Sequence, residues 1–138
     1  MTTVTVTMTD QQARCVVDAL DLYCRIGLGQ YEELEMMLRM GLIKPAHDTD
    51  PMGIADDFRT ALFAAKAIIG HPPNGSFGIG HPRLHEDFKR AYEIKKQIQK
   101  PMAEHRNPNP SFRGVNYDGR IVAYTSDPNI TVTVEASE

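Results

Sequence analysis

Apolar residues recur at three- and four-residue spacing through the middle of this chain, and each run is cut by glycine or proline. That punctuation restricts the fold more than any other feature, because a loop between two packed helices needs a stop and a start. In the first run, Ala13, Val16, Val17, Leu20 and Cys24 keep helical spacing behind "TDQQ", where Thr9 and Gln12 form a capping box. The stretch "RIGLGQYEELEMMLRMG", Arg25 to Gly41, then breaks the pattern. Gly27 and Gly29 are expected to end the helix, since glycine enters the positive-φ region at little cost. A second helix is expected over about Tyr31 to Met40, with Leu34, Met37 and Leu38 inward and Gly41 as its stop.

Asp50 with Pro51 reads as a cap and first turn for a third helix, whose stripe is Ile54, Phe58, Leu62, Ala65 and Ile69 and whose stop is Gly70. A fourth is expected to open at Pro82, with Leu84, Phe88, Ala91, Ile94 or Lys95, and Ile98 on its stripe. Pro101 has no amide proton, so that helix should kink or finish there. The two ends of the chain read differently. Thr2 to Thr7 alternate Thr and Val, which puts Val4, Val6 and Met8 on one side of a strand. After the loop "NPNPSF" come "GVNY", the Asp118-Gly119 turn, "RIVAYT", the "SDPN" turn and "ITVTVE". The expected fold is therefore α+β: four helices packed on a small antiparallel sheet formed by the N-terminal strand and a C-terminal three-strand meander.

A chain of 138 residues with 41% hydrophobic content suits a single domain, 1–138, that needs neither disulfide nor metal to hold its core. A net charge of -3 argues against gripping long nucleic acid through its phosphates. Cys15 and Cys24 lie on one expected helix, too far apart along it to bridge, and read as reduced core thiols. The N-terminal "MTTVTVTMTD" has neither a basic leader nor a long apolar run, so the expected location is the cytoplasm, with no membrane partner.

Two loops carry the chemistry. Around the first turn, Arg25 offers planar donors, Gln30 both donors and acceptors, and Tyr31 a ring and a hydroxyl. In "GHPPNGSFGIGHPRLHEDFKR", Asn74 and Ser76 supply hydrogen bonds, Phe77 a stacking surface, and Arg83 and Arg90 partners for phosphate, with His81 beside them. The spacing is neither a Walker loop nor a dinucleotide fingerprint. A plain helix hairpin and a rigid core-plugging loop account for the same residues. His81 and His85 are four apart and could face one metal, but no HExxH or paired-cysteine pattern accompanies them, and neither metal nor cofactor is expected. With no nucleophile elbow and no cysteine beside a basic group, no catalytic residues are assigned. Glu32, Glu33 and Glu35, and the run Lys89 to Lys100, are expected to be solvated helix faces.

"LDLYCRIGLGQYEEL", and "NGSFGIGHP" followed by "AYEIKKQI", resemble a mostly uncharacterised group of small proteins encoded by tailed bacteriophages. The resemblance covers about half the chain. It implies the cytoplasm of an infected bacterium and a counter-defence role. Some such proteins act as sponges, homo-oligomers that sequester cyclic nucleotides or ADP-ribose-type immune signals without catalysis. The functional expectation is a small-nucleotide binder of that kind. The alternative is a protein-binding inhibitor or structural accessory protein, with a small metal-dependent hydrolase last.

Overall fold

A computed structural model of the chain describes residues 2–110 and 123–136. Its elements are helices: α1 (Asp10–Leu28), α2 (Glu32–Arg39), α3 (Pro51–Ile68) and α4 (Glu86–Arg106). Among the described residues there is no strand, so the described fold is all-α and the expected antiparallel sheet is corrected.

The helix boundaries follow local chemistry. Thr9 N–H donates to Gln12 Oε1 at 3.0 Å and Gln12 N–H to Thr9 Oγ1 at 3.1 Å, a reciprocal capping box. Gly27 stays helical, and it is Gly29, at φ +94°, that ends α1. There Gln30 N–H reaches Arg25 O at 2.9 Å and Gly29 N–H reaches Ile26 O at 3.1 Å, the paired closure of a Schellman motif. Helices α2 and α3 close in the same way at Gly41 and Gly70. Asp50 caps α3 by accepting from Met52 N–H at 3.1 Å.

Helix α4 starts at Glu86, after a turn in which Leu84 N–H donates to His81 O at 3.1 Å, and not at Pro82. It also continues through Pro101 to Arg106. A proline at that position deletes only the bond to Gln97 O, and the rest of the turn carries the helix on.

The missing sheet has a physical explanation. Residues 2–8 are exposed along their length, Val4 by 79% and Val6 by 66%; alternation suits an extended chain, but a ladder needs a facing strand. At the other end, side chains of α4 take the amides that a ladder would use. Glu93 accepts from the N–H groups of Tyr124 and Thr125 and from Thr125 Oγ1, and Gln97 Oε1 accepts from Ile130 N–H at 2.8 Å. The "ITVTVE" segment thus has no strand pairing. The expected strand "GVNY" and the first half of "RIVAYT" fall outside the described residues.

The chain divides into two compact units, Met1–Tyr23 with Glu86–Glu138, and Cys24–His85. The first buries Val17, Ala91, Ile98 and Ala103, packs Tyr23 on Phe88 with ring centres 4.7 Å apart, and pairs Lys95 with Asp21 at 2.8 Å. The second packs α2 on α3 and buries Cys24, Leu28, Leu38, Ala55, Leu62 and Leu84. Both cysteines are free thiols; Cys24 is in the core, but Cys15 is exposed and is no core thiol. Among the described residues no helix is long and apolar enough to cross a membrane.

Candidate functional site

The Cys24–His85 unit brings the two loops together. Because Gly29 turns the backbone sharply, the carbonyl of Leu28 at the end of α1 is left to accept from Phe77 N–H at 2.8 Å. This one backbone bond ties the glycine-bearing loop to the first turn. A second tie comes from Lys66 in the last turn of α3, which is fully buried and donates to Glu32 Oε2 at 3.1 Å and to Pro73 O at 2.9 Å. An ammonium is held in such a place only when its donors are satisfied. Here a carboxylate and a loop carbonyl satisfy it, and they fix residues 72–74 against α2 and α3.

Two features stand at this junction. One is a polar row: Arg25 Nη1 donates to Gln30 Oε1 at 2.9 Å, which leaves the Gln30 amide nitrogen to meet Ser76 Oγ at 3.5 Å. The other is a set of rings. Phe77 stacks on His81 with centres 4.2 Å apart, and His71 meets the Phe77 edge at 4.7 Å. His81 Nδ1 accepts from Arg83 N–H at 3.1 Å, so in the neutral imidazole the proton sits on Nε2, which can donate.

Beside the junction lies a cavity of about 420 Å³ lined by Glu32, Glu35, Arg59, Phe63, Pro73 and Asn74. Glu35 is buried and fully engaged: Arg59 binds both its oxygens and Arg39 Nε donates to Oε2 at 2.9 Å. Hydrogen bonding from Arg59 outweighs burial and, with Arg39, holds the Glu35 carboxyl below its usual range. Arg39 also reaches Asp56 at 2.7 Å.

Of the residues singled out by sequence, Arg25, Gln30 and Ser76 form one row, and Phe77 and His81 one stack. Tyr31 is half-buried at the N-cap of α2 without a side-chain cap bond, Asn74 lines the cavity, and Arg83 is exposed beside His81. Arg90 is not with them. It belongs to the other unit, where it pairs with Asp127 and Asp87. Among the described residues no three His, Cys, Asp or Glu side chains are placed to hold a metal ion.

Sequence reasoning placed Glu32 at the first turn but missed Lys66, Arg59, Phe63 and Glu35 as parts of this region. Lys66 did leave a trace, since it stands four residues after Leu62 on an otherwise apolar stripe. Compared with known proteins, the chain matches no family model, no curated protein and no solved structure.

Proposed function

We propose that this chain binds a small nucleotide, without transforming it, at the junction of the α1–α2 turn and the loop of residues 71–81. The observation that carries the reading is the juxtaposition of the Arg25–Gln30–Ser76 row with the Phe77–His81 stack across the Leu28–Phe77 backbone bond. Guanidinium and amide donors suit phosphate or ribose oxygens, and flat rings suit a base. The resemblance to small tailed-phage proteins supports cyclic nucleotides or ADP-ribose-type immune signals as the ligand class and capture in the bacterial cytoplasm as the role.

The test is to incubate the protein with a panel of cyclic nucleotides and ADP-ribose isomers, remove unbound ligand, heat-denature, and analyse the supernatant. Release of intact ligand supports capture. Chemically altered ligand shows an enzyme instead, and no retention of any member removes the reading.

One observation favours a second, protein-binding reading that can accompany the first. Met36 on α2 and Met40 at its C-cap are exposed one turn apart, with Leu42 and Met52 also exposed, an apolar surface of adaptable side chains. A second copy of the chain is the partner proposed for it, and light scattering that finds only monomer at high concentration would exclude that homo-oligomer.

A further inference from the structure

The cavity beside the junction has a composition of its own. Its charges cancel locally: Glu32 is paired with Lys66, and Glu35 and Asp56 with Arg59 and Arg39. A neutral lining of this kind has no surplus charge for a phosphate or for a lone cation. It offers instead two apolar walls, Phe63 and Pro73, and three polar groups with capacity left over. Among the described residues Glu32 Oε1, Arg59 Nη1 and the Asn74 amide make no hydrogen bond; Glu32 Oε2 accepts from Lys66 alone and keeps a lone pair beside Oε1, while Arg59 Nε and Nη2 donate to Glu35.

We infer that this cavity receives one base of a two-base nucleotide, such as a cyclic dinucleotide whose other base meets the Phe77–His81 stack, and that it selects guanine. The inference rests on the nucleotide-binding reading above and deepens it. An ionised carboxylate only accepts, and an arginine only donates. The complementary edge must therefore set adjacent donors beside an acceptor. Guanine does so, with N1–H and the N2 amino group next to O6. Adenine gives a carboxylate only the N6 amino group, and hypoxanthine lacks the N2 donors. Phe63 supplies a ring for stacking, and the Asn74 amide can meet O6 or N7.

Chain placement connects this cavity to the polar row. Gln30 and Glu32 are two residues apart, as are Ser76 and Asn74. The same two segments therefore carry the Gln30–Ser76 contact and, two residues along each, the Glu32–Asn74 side of the cavity. Two residues of chain reach no more than about 7 Å, so base and phosphate of one nucleotide can be served together.

The experiment is calorimetric titration of the full chain with guanosine, adenosine and inosine 5′-monophosphates and with ribose 5-phosphate. Guanosine monophosphate should bind at least about tenfold more tightly than adenosine monophosphate, with inosine monophosphate between them and ribose 5-phosphate weakest. Glu32→Gln, which replaces an acceptor by a donor, should remove the preference for guanine. Because Glu32 also holds Lys66, Asn74→Ala is the second variant. Asn74 is exposed and has no side-chain partner among the described residues, so this change should leave melting unchanged and weaken guanosine monophosphate at least about threefold.

Equal or better binding of adenosine monophosphate, or ribose 5-phosphate matching guanosine monophosphate, overturns the inference. If all four bind alike and Arg25→Ala weakens them all, nucleotide binding at the junction stands and the base pocket falls. If guanine is preferred yet Arg25→Ala changes nothing, the pocket stands and the polar row falls. If none binds, both fall.

Discussion

Gly29→Ala tests whether the junction is built as described, and its cost can be worked out in two parts. At φ +94° an alanine adopts a backbone that L side chains avoid, at about 1–2 kcal/mol. The added Cβ would also lie 2.8 Å from His71 Cδ2 and Nε2, closer than any real contact. Displacing a ring that is itself packed against Phe77 adds about 1–3 kcal/mol of overpacking. The total is about 2–5 kcal/mol, or a fall in Tm of about 8–20 °C for a chain of this size.

Gly70→Ala supplies the control. Its φ is +91°, but a Cβ there would meet nothing within 4 Å, so only the backbone part should appear. Urea denaturation of both variants, each also made in a His71→Ala background, separates the two parts. Removing the ring should bring the cost of Gly29→Ala down to that of Gly70→Ala, and leave Gly70→Ala itself unchanged. Equal costs for the two glycine variants with His71 present would refute the packing of His71 against the first turn.

Three further outcomes are expected. The Glu35 carboxyl is lowered from its ordinary 4.5 by Arg59 and Arg39, so its contribution to stability is full above about pH 4.5 and lost as pH falls through the lowered value; denaturation midpoints at about pH 6 and about pH 3 should differ less in Glu35→Gln than in the native protein. Glu93→Ala leaves the amides of Tyr124 and Thr125 without their acceptor, which should cost about 3 kcal/mol and speed hydrogen exchange at those two amides relative to the α4 backbone. Asp50→Ala removes the cap on Met52 N–H and should cost about 1 kcal/mol in thermal unfolding.

The helices were legible where their signals are local. The Thr9–Gln12 box, the Asp50-Pro51 start and the glycine stops at Gly41 and Gly70 depend on neighbours within a turn, and periodicity marked the faces between them. Gly27 and Gly29 are chemically alike in sequence; Gly29 is the one that turns, and the ring of His71, from a distant loop, occupies the space a Cβ there would need. Alternating Thr and Val predicted strands because the pattern records tolerance of an extended backbone, whereas a ladder depends on what faces it; the described ends have no such partner, and Glu93 and Gln97 take the amides of the C-terminal one.

Charge was the least legible property. "KRAYEIKKQIQK" reads as a solvated face, yet Glu93 is only 4% exposed and Lys95 is buried, because their partners, Thr125 and Asp21, are far away in sequence. Glu35, within another expected charged surface, is buried between two arginines, one of which, Arg59, comes from another helix. At the candidate site, the residue types in each loop could be read, but not which would meet. Gln30 and Ser76 are joined by the fold, while Arg90, of equal promise by type, is held in the other unit by Asp127.

The central claim is that Arg25 and Phe77, from different loops, act on one nucleotide. Calorimetric titration of native protein, Arg25→Ala and Phe77→Ala with whichever panel member is retained tests it most directly, with melting recorded for each variant. A desolvated guanidinium contact is worth about 1.5–3 kcal/mol and a stacked base about 1–3 kcal/mol. Each variant should then lose affinity by about tenfold or more while remaining folded. Unchanged affinity together with a lowered melting temperature would contradict the claim and leave "RIGLGQYE" as a helix hairpin braced by its neighbouring loop.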